Sequence, residues 1–309
     1  MITLLGAGGV IGNELVKLLA ADGQPVRLVG RQPVLLQGAQ EAVTADLCDQ
    51  AQTLNAVAGS SIVFLLAGLK YDHKVWAESW PRIMVNTVEA CKRAGAKLVF
   101  FDNVYMYGRV HGAMTEETPF NPCSRKGEVR ARIAGALASE WKAGGLTSMI
   151  ARAADFYGPG AKNGVANVLV FEPFASRKKA TWLVNDTLPH SFTYTPDAAQ
   201  ALVKLAQTAS AWNQTWHLPT APNAPTGKEF IARAAEGMHV PARYRVMGKG
   251  MIRVGGWFNP LVGEIYEMLY QNDSPYLFDS SKYGRAFGFH GTPYADGIRV
   301  TAGTYRKDG

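Results

Sequence analysis

The chain has 309 residues, 47% of them hydrophobic and 18% charged, with a formal net charge of +7. That balance supports a full core in one large domain or two coupled ones, and no apolar run reaches the ~20 residues of a membrane span. The cations are dispersed with no polybasic block, which points to an anionic cofactor and not to nucleic acid. Cys48, Cys91 and Cys123 lie far apart in no metal-ligating spacing, so no metal is expected, and they read as reduced thiols of a cytoplasmic protein. The opening "MITLLGAGG" enters a strand and a glycine-rich turn and does not resemble a leader.

In chain order, the apolar runs "ITLLGAG", "VRLVGR", "SIVFLLAG", "KLVFFDN" and "TSMIARAAD" predict buried strands. Helix-period segments separate them. The first, "VIGNELVKLLAADG", sets Ile11, Leu15, Leu18 and Leu19 on one face and stops at Asp22-Gly23. Strand and helix in alternation mean an α/β fold with a doubly wound parallel sheet, whose ligands bind at the carboxyl ends of the strands. After residue 160 the rhythm loosens. Residues 1–160, rejoined by about 189–210 and part of 277–309, are expected to form the sheet domain, with 161–188 and 211–276 forming a smaller substrate domain.

"LLGAGGVIGNEL" places Gly6, Gly9 and Gly12 between the first strand and the first helix. Gly6 allows the tight turn, Gly9 lets backbone approach a pyrophosphate, and Gly12 allows close packing of helix on strand. Val10 and Ile11 open the helix, whose N-terminus offers N–H donors and a partial positive charge. The second strand ends "LVGR", where an NAD enzyme usually carries Asp or Glu for the ribose 2′-hydroxyl. Arg31 pairs instead with a 2′-phosphate, which predicts NADP, with NAD the alternative if Arg31 is simply exposed. Asp46 and Leu47 follow the third strand and suit the adenine. Leu66, Ala67 and Gly68, where "SIVFLLAG" ends, complete the cofactor set.

At "VFFDNVYMYG", "ARAADFYGPG", "FTYTPDAAQAL" and "FDSSKYGRAFGF…YADGI" the chain resembles the extended short-chain dehydrogenase/reductase family, in its NAD-dependent epimerase/dehydratase branch. The resemblance covers nearly the whole length in the right order. It implies a Rossmann core with a smaller C-terminal substrate domain. It also implies a small-molecule substrate and a homodimer through the helices near 74–94 and 126–143. Members generally use an Asn-Ser/Thr-Tyr-Lys tetrad. Asn86 matches the helix Asn, and Asn103 holds the Ser/Thr place. The P-x-S-x-Y-x-x-x-K pattern aligns without gaps on "PCSRKGEVR", which puts Lys126 where Tyr belongs and Arg130 where Lys belongs.

Three readings of that exchange stand. Lys126 starts near the reference pKa of ~10.4, is lowered by neighbouring cations, and donates the proton. Asn103 then polarises the carbonyl and Arg130 holds the ribose beside Lys126. In the second reading the acid is a phenol that follows the strand carrying Asn103, Tyr105 in preference to Tyr107. Tyr107 takes the Tyr place of V-Y-G, and Asp102 pairs with Lys126 or serves as a base. In the third reading hydride chemistry is lost and the protein senses NADP.

Three departures bear on substrate. Asp155 replaces the family Asn that touches a diphosphate, His190 replaces an Arg, and Leu269-Tyr270 fall where a second phosphate Arg belongs. An anion beside a diphosphate is repulsive, which argues against a nucleotide-diphosphate sugar. Trp182, Trp257, Phe258, Tyr266, Met268 and Tyr270 are expected instead to wall a pocket for a smaller hydrophobic or hydroxylated carbonyl compound, whose hydroxyls Asp155 and His190 would bond. A nucleotide-sugar epimerase or dehydratase remains the family alternative.

Overall fold

The computed structural model describes residues 1–306, and the chain forms two compact units. The first takes Met1–Met106, Arg125–Arg152 and Ala198–Leu218. The second takes Tyr107–Ser124, Ala153–Asp197 and the chain from Pro219 onward.

The first unit is built on a seven-stranded parallel sheet. From edge to edge its strands are Thr215–His217, Ser148–Arg152, Lys97–Asp102, Ile62–Leu65, Ile2–Leu5, Val26–Gly30 and Glu41–Thr44. The chain steps outward from Ile2–Leu5 in one direction and then in the other, which is the doubly wound order of a Rossmann sheet. Central strands covered on both faces must be apolar throughout, and Leu4, Leu28, Phe64 and Phe100 are fully buried. The edge strand Glu41–Thr44 is only half covered and alternates accordingly.

Helix His73–Ala94 sends Trp76, Trp80, Ile83, Met84, Val88 and Cys91 into the core at helical spacing. Asp72 caps it by accepting from the Lys74 and Val75 amides, and Gly95 ends it in the left-handed conformation at φ +64°. Helix Arg125–Lys142 packs beside it with Ile133, Ala134 and Leu137. Helix Val10–Ala21 buries Ile11, Leu15, Val16 and Leu19, so Val16 takes the core place expected of Leu18.

The second unit pairs its short strands two by two: Asp155–Tyr157 with Phe192–Tyr194, Ala180–Leu183 with Tyr244–Met247, and Ala113–Met114 with Leu277–Phe278. Its core is aromatic, built from Tyr157, Phe171, Trp182, Phe192, Phe230 and Tyr294. Thr226 and Glu229 close a capping box at helix Gly227–Gly237. Helices Lys249–Phe258 and Pro260–Tyr266 meet across Gly256 and Gly263, where a Cβ built on Gly256 would lie 3.0 Å from the Gly263 Cα.

The division differs from the expected boundaries in several places, and 153–160 and 189–197 fall in the second unit. Thr215–His217 is an edge strand of the large sheet, so 211–218 belongs to the first unit. Phe192–Tyr194 pairs with Asp155–Tyr157 and does not join the large sheet, and the segments 107–124 and 277–306 belong to the second unit. A three-residue strand is too short to show a period, so these pairings leave no pattern in the sequence. Among the described residues no helix is long and apolar enough to cross a membrane.

Gly6 is the tightest point of the first unit. Its φ is +89°, and a Cβ there would stand 2.3 Å from the Ala67 Cα and 2.5 Å from the Ala67 N. Both obstacles are backbone, and the conformation itself penalises a side chain. Gly6→Ala is therefore expected to cost about 2 kcal/mol or more of stability, read as a lowered urea midpoint. An unchanged midpoint would remove the close-approach account.

Candidate functional site

The glycine turn is stitched to the neighbouring strand, because the Gly6 and Ala7 amides both donate to the Val29 carbonyl at 2.9 and 3.0 Å. Gly9 is the N-cap of helix Val10–Ala21 and contributes no side-chain cap, and a Cβ on Gly8 or Gly9 would project into open space. A helix N-terminus with clearance above it is the cradle a pyrophosphate needs, so the residues present fit a dinucleotide. Gly12 is less constrained than expected, since a Cβ there would meet Leu66 Cδ1 at an ordinary 3.7 Å.

Arg31 is exposed just past its strand. Asp46 is exposed, and its carboxylate accepts from the Cys48 amide at 2.9 Å. The Leu47 side chain is core, and its carbonyl accepts from Asn86 Nδ2 at 2.9 Å. Asn86 thus fastens helix His73–Ala94 to the loop after the third strand, and the hydrogen bond described for it goes there and not to the Lys126 cluster. Leu66 and Ala67 are half-buried and Gly68 exposed, leading off the strand beside Gly6.

At the carboxyl end of Lys97–Asp102, the Asp102 side chain is fully buried between two guanidiniums. Arg130 Nη1 donates to Oδ1 at 3.1 Å and Arg152 Nε to Oδ2 at 3.5 Å. Arg130 also lies on aromatic faces, 4.0 Å from the Trp80 ring centroid and 4.8 Å from that of Trp76. Burial pushes the Asp102 carboxyl up and the Arg130 guanidinium down, and the charge each presents to the other opposes both shifts. Both Asp102 oxygens are thus taken by guanidiniums and not by Lys126, and Arg130 is anchored through Nη1. Arg152 was missed; its signal was a cation closing an otherwise apolar strand, "TSMIAR".

One turn before Arg130, Lys126 is fully buried with its Nζ 4.5 Å from the centre of the Tyr71 ring. The Tyr71 hydroxyl lies 3.4 Å from that of Tyr105, whose ring stacks on Trp76 at 6.1 Å. Asn103 Oδ1 accepts from the Tyr105 amide at 3.1 Å, so this residue shapes the turn that presents Tyr105. Lys126, Tyr105 and Tyr71 therefore come together, with Asn103 behind them. Tyr71 had no sequence signal, because it joins the cluster only through the fold.

In the second unit Tyr107 is 1% exposed and set edge-on to Phe120, a core position without a face for substrate. His190 is also buried. It is paired with Asp155 at 2.9 Å and stacked on Tyr276 at 4.3 Å. Tyr270 is half-buried in a cleft that Arg109, Ser274 and Pro275 also line. The expected apolar wall does not form: Trp182 and Met268 are core, whereas Trp257 and Phe258 are 76% and 84% exposed. The two helices of that hairpin meet through glycines, which leaves the large rings outside. None of the cysteines is an activated nucleophile, since burial raises Cys48 and Cys123 and pushes Cys91 up to about 12.

Comparison with known proteins agrees with this fold. Residues 2–217 match the model of the NAD dependent epimerase/dehydratase family. No curated protein matches the chain by sequence. Among solved structures, the UDP-glucose 4-epimerase of Thermotoga maritima, with UDP-glucose, superposes with a TM-score of 0.80 at 18% identity, covering 99% of this chain and 98% of that one. The Thermus thermophilus UDP-glucose 4-epimerase, in complex with NAD, gives 0.76 at 19% identity over 100% of both chains. The dTDP-glucose 4,6-dehydratase of Streptomyces venezuelae, solved with NAD bound, gives 0.78 at 17% identity over 100% of this chain and 98% of that one. At such identities the likeness is one of fold. The family model covers well over half of the sequence, and the chain belongs to the NAD-dependent epimerase/dehydratase family.

Proposed function

We propose that the protein is an NAD(P)-dependent oxidoreductase or epimerase working at a carbonyl/hydroxyl centre of a small molecule, with NADP preferred. The observation that carries this reading is the buried Lys126 ammonium set against the Tyr71 phenol, with the Tyr105 hydroxyl alongside. A solvated helix face has no reason to bury a lysine completely; a proton-transfer site does, because a cation there shifts the ionisation of its neighbours. A bound nicotinamide supplies or accepts the hydride. The chain's own part is to hold the dinucleotide on the glycine turn and to manage the proton beside Lys126.

Arg31 supports the NADP preference, being exposed at the end of its strand where a 2′-phosphate would be read. The substrate is proposed not to be a nucleotide-diphosphate sugar, although the similar structures include such enzymes. Asp155 Oδ2 lies 2.9 Å from His190 Nε2, where the branch usually offers an amide to the diphosphate. A homodimer through helices His73–Ala94 and Arg125–Lys142 is part of the proposal, with Val85 64% exposed on the first of them. So is a cytoplasmic setting.

Two measurements test it. NADPH deuterated at nicotinamide C4 is incubated with a panel of small aldehydes and ketones, and deuterium in the products is read by mass spectrometry. Wild type is expected to transfer label and Lys126→Ala to fall at least ~100-fold. Tight NADPH binding with no label transferred by wild type would favour a dinucleotide sensor. By calorimetry, Arg31→Ala is expected to weaken NADPH binding about tenfold or more while leaving NADH within about twofold, since one charge-assisted contact is worth about 1.5–3 kcal/mol. An equal loss for both cofactors would end the NADP preference.

A further inference from the structure

We propose that Tyr71 is the group that exchanges the proton with the substrate oxygen, that Lys126 stabilises its phenolate, and that Tyr105 relays the proton. The assignment rests on the hydride-transfer reading above.

Backbone delivery is the first argument. The segment leaving strand Ile62–Leu65 passes so close to the glycine turn that a Cβ on Gly6 would strike Ala67. Tyr71 follows four residues after Ala67, so the loop bordering the dinucleotide turn is the loop that presents this phenol. Its position is fixed. Trp76 Nε1 donates to the Lys70 carbonyl at 3.0 Å, and the Trp76 and Tyr71 rings meet edge-on at 5.8 Å.

Access is the second argument. Lys126 is 0% exposed, so its ammonium presents no surface to a substrate. Tyr71, in contrast, is only half-buried. Of the pair, the tyrosine alone keeps accessible surface.

Charge is the third. An ammonium 4.5 Å above a neutral phenol ring is held by the ring's quadrupole. When the phenol loses its proton, the same ammonium faces a net negative charge, and the attraction grows. The geometry therefore favours the phenolate, which a proton-exchanging tyrosine needs.

In the reducing direction, the Tyr71 O–H bond breaks and an O–H bond forms to the substrate oxygen as its carbon gains the hydride. The electron pair of the broken bond stays on the Tyr71 oxygen. A proton from the Tyr105 hydroxyl, 3.4 Å away, neutralises it, and Tyr105 recovers a proton from water. The oxidising direction reverses each transfer.

The test compares Tyr71→Phe, Tyr105→Phe and Lys126→Met. Tyr71→Phe is expected to lose at least ~100-fold in deuteride transfer, with NADPH affinity within about twofold of wild type. Tyr105→Phe is expected to lose less, because water can stand in for the relay. A second readout needs no turnover: tyrosine ζ-carbon NMR of the unloaded protein, titrated with base. The titratable groups near this phenol include Lys126 and Tyr105, with Arg130 beyond Trp76 and with Asp72 and His73 next in the chain. The Tyr71 signal is expected to ionise below the reference of about 10 and to move upward in Lys126→Met. Full deuteride transfer by Tyr71→Phe, or a Tyr71 midpoint indifferent to Lys126→Met, overturns this assignment and leaves the oxidoreductase reading intact. No transfer by wild type overturns both.

Discussion

The first unit depends on one buried anion. Asp102 ends the central strand Lys97–Asp102 with no exposure, and it is tolerable there because Arg130 and Arg152 both reach it. A charge taken out of water without partners is expensive, and breaking such a cluster by removing one member typically costs about 3–5 kcal/mol. Three elements therefore have no freedom to slide: the strand, helix Arg125–Lys142, and the next strand, Ser148–Arg152. The consequence reaches further along the helix. Residues four apart share a helix face, so holding Arg130 on Asp102 sets the rotation that turns Lys126 onto Tyr71.

The facing helix meets these cations with aromatic rings. Trp76 and Trp80 are also four apart, and both lie over the Arg130 guanidinium. Trp76 in addition stacks on Tyr105 and meets Tyr71 edge-on. One indole thus joins the structural cation to both phenols. Compared with the family pattern, the site has gained a cation and lost its local tyrosine. The two roles of the usual pair, a phenol and an ammonium, are proposed to persist with the phenol drawn from a different loop.

How much of this was legible in the sequence follows from distance along the chain. The glycine turn was readable because Gly6, Gly9 and Gly12 act within one loop and one helix end, and the parallel sheet because its buried strands are locally apolar. The ungapped segment that carries Lys126 and Arg130 located both residues on one helix face. What they touch was not readable. Asp102 lies 28 residues from Arg130 and 50 from Arg152, and the side-chain charges alone do not say which cation an acid will choose. Tyr71 lies in a loop with no motif of its own. Trp257 and Phe258 misled for the opposite reason: in composition they resemble a pocket wall, but a hairpin joined through Gly256 and Gly263 turns them to solvent.

The indoles have a practical side. The chain has seven tryptophans, and their surroundings differ sharply: Trp80 is 1% exposed against a guanidinium, Trp257 is 76% exposed. A buried indole emits toward the blue and a solvated one toward the red, so the two environments separate in one fluorescence spectrum. Trp76 and Trp80 share the blue component with the buried Trp182, Trp212 and Trp216, so a protein in which those three are replaced by phenylalanine would report the seating of Arg130 without any label.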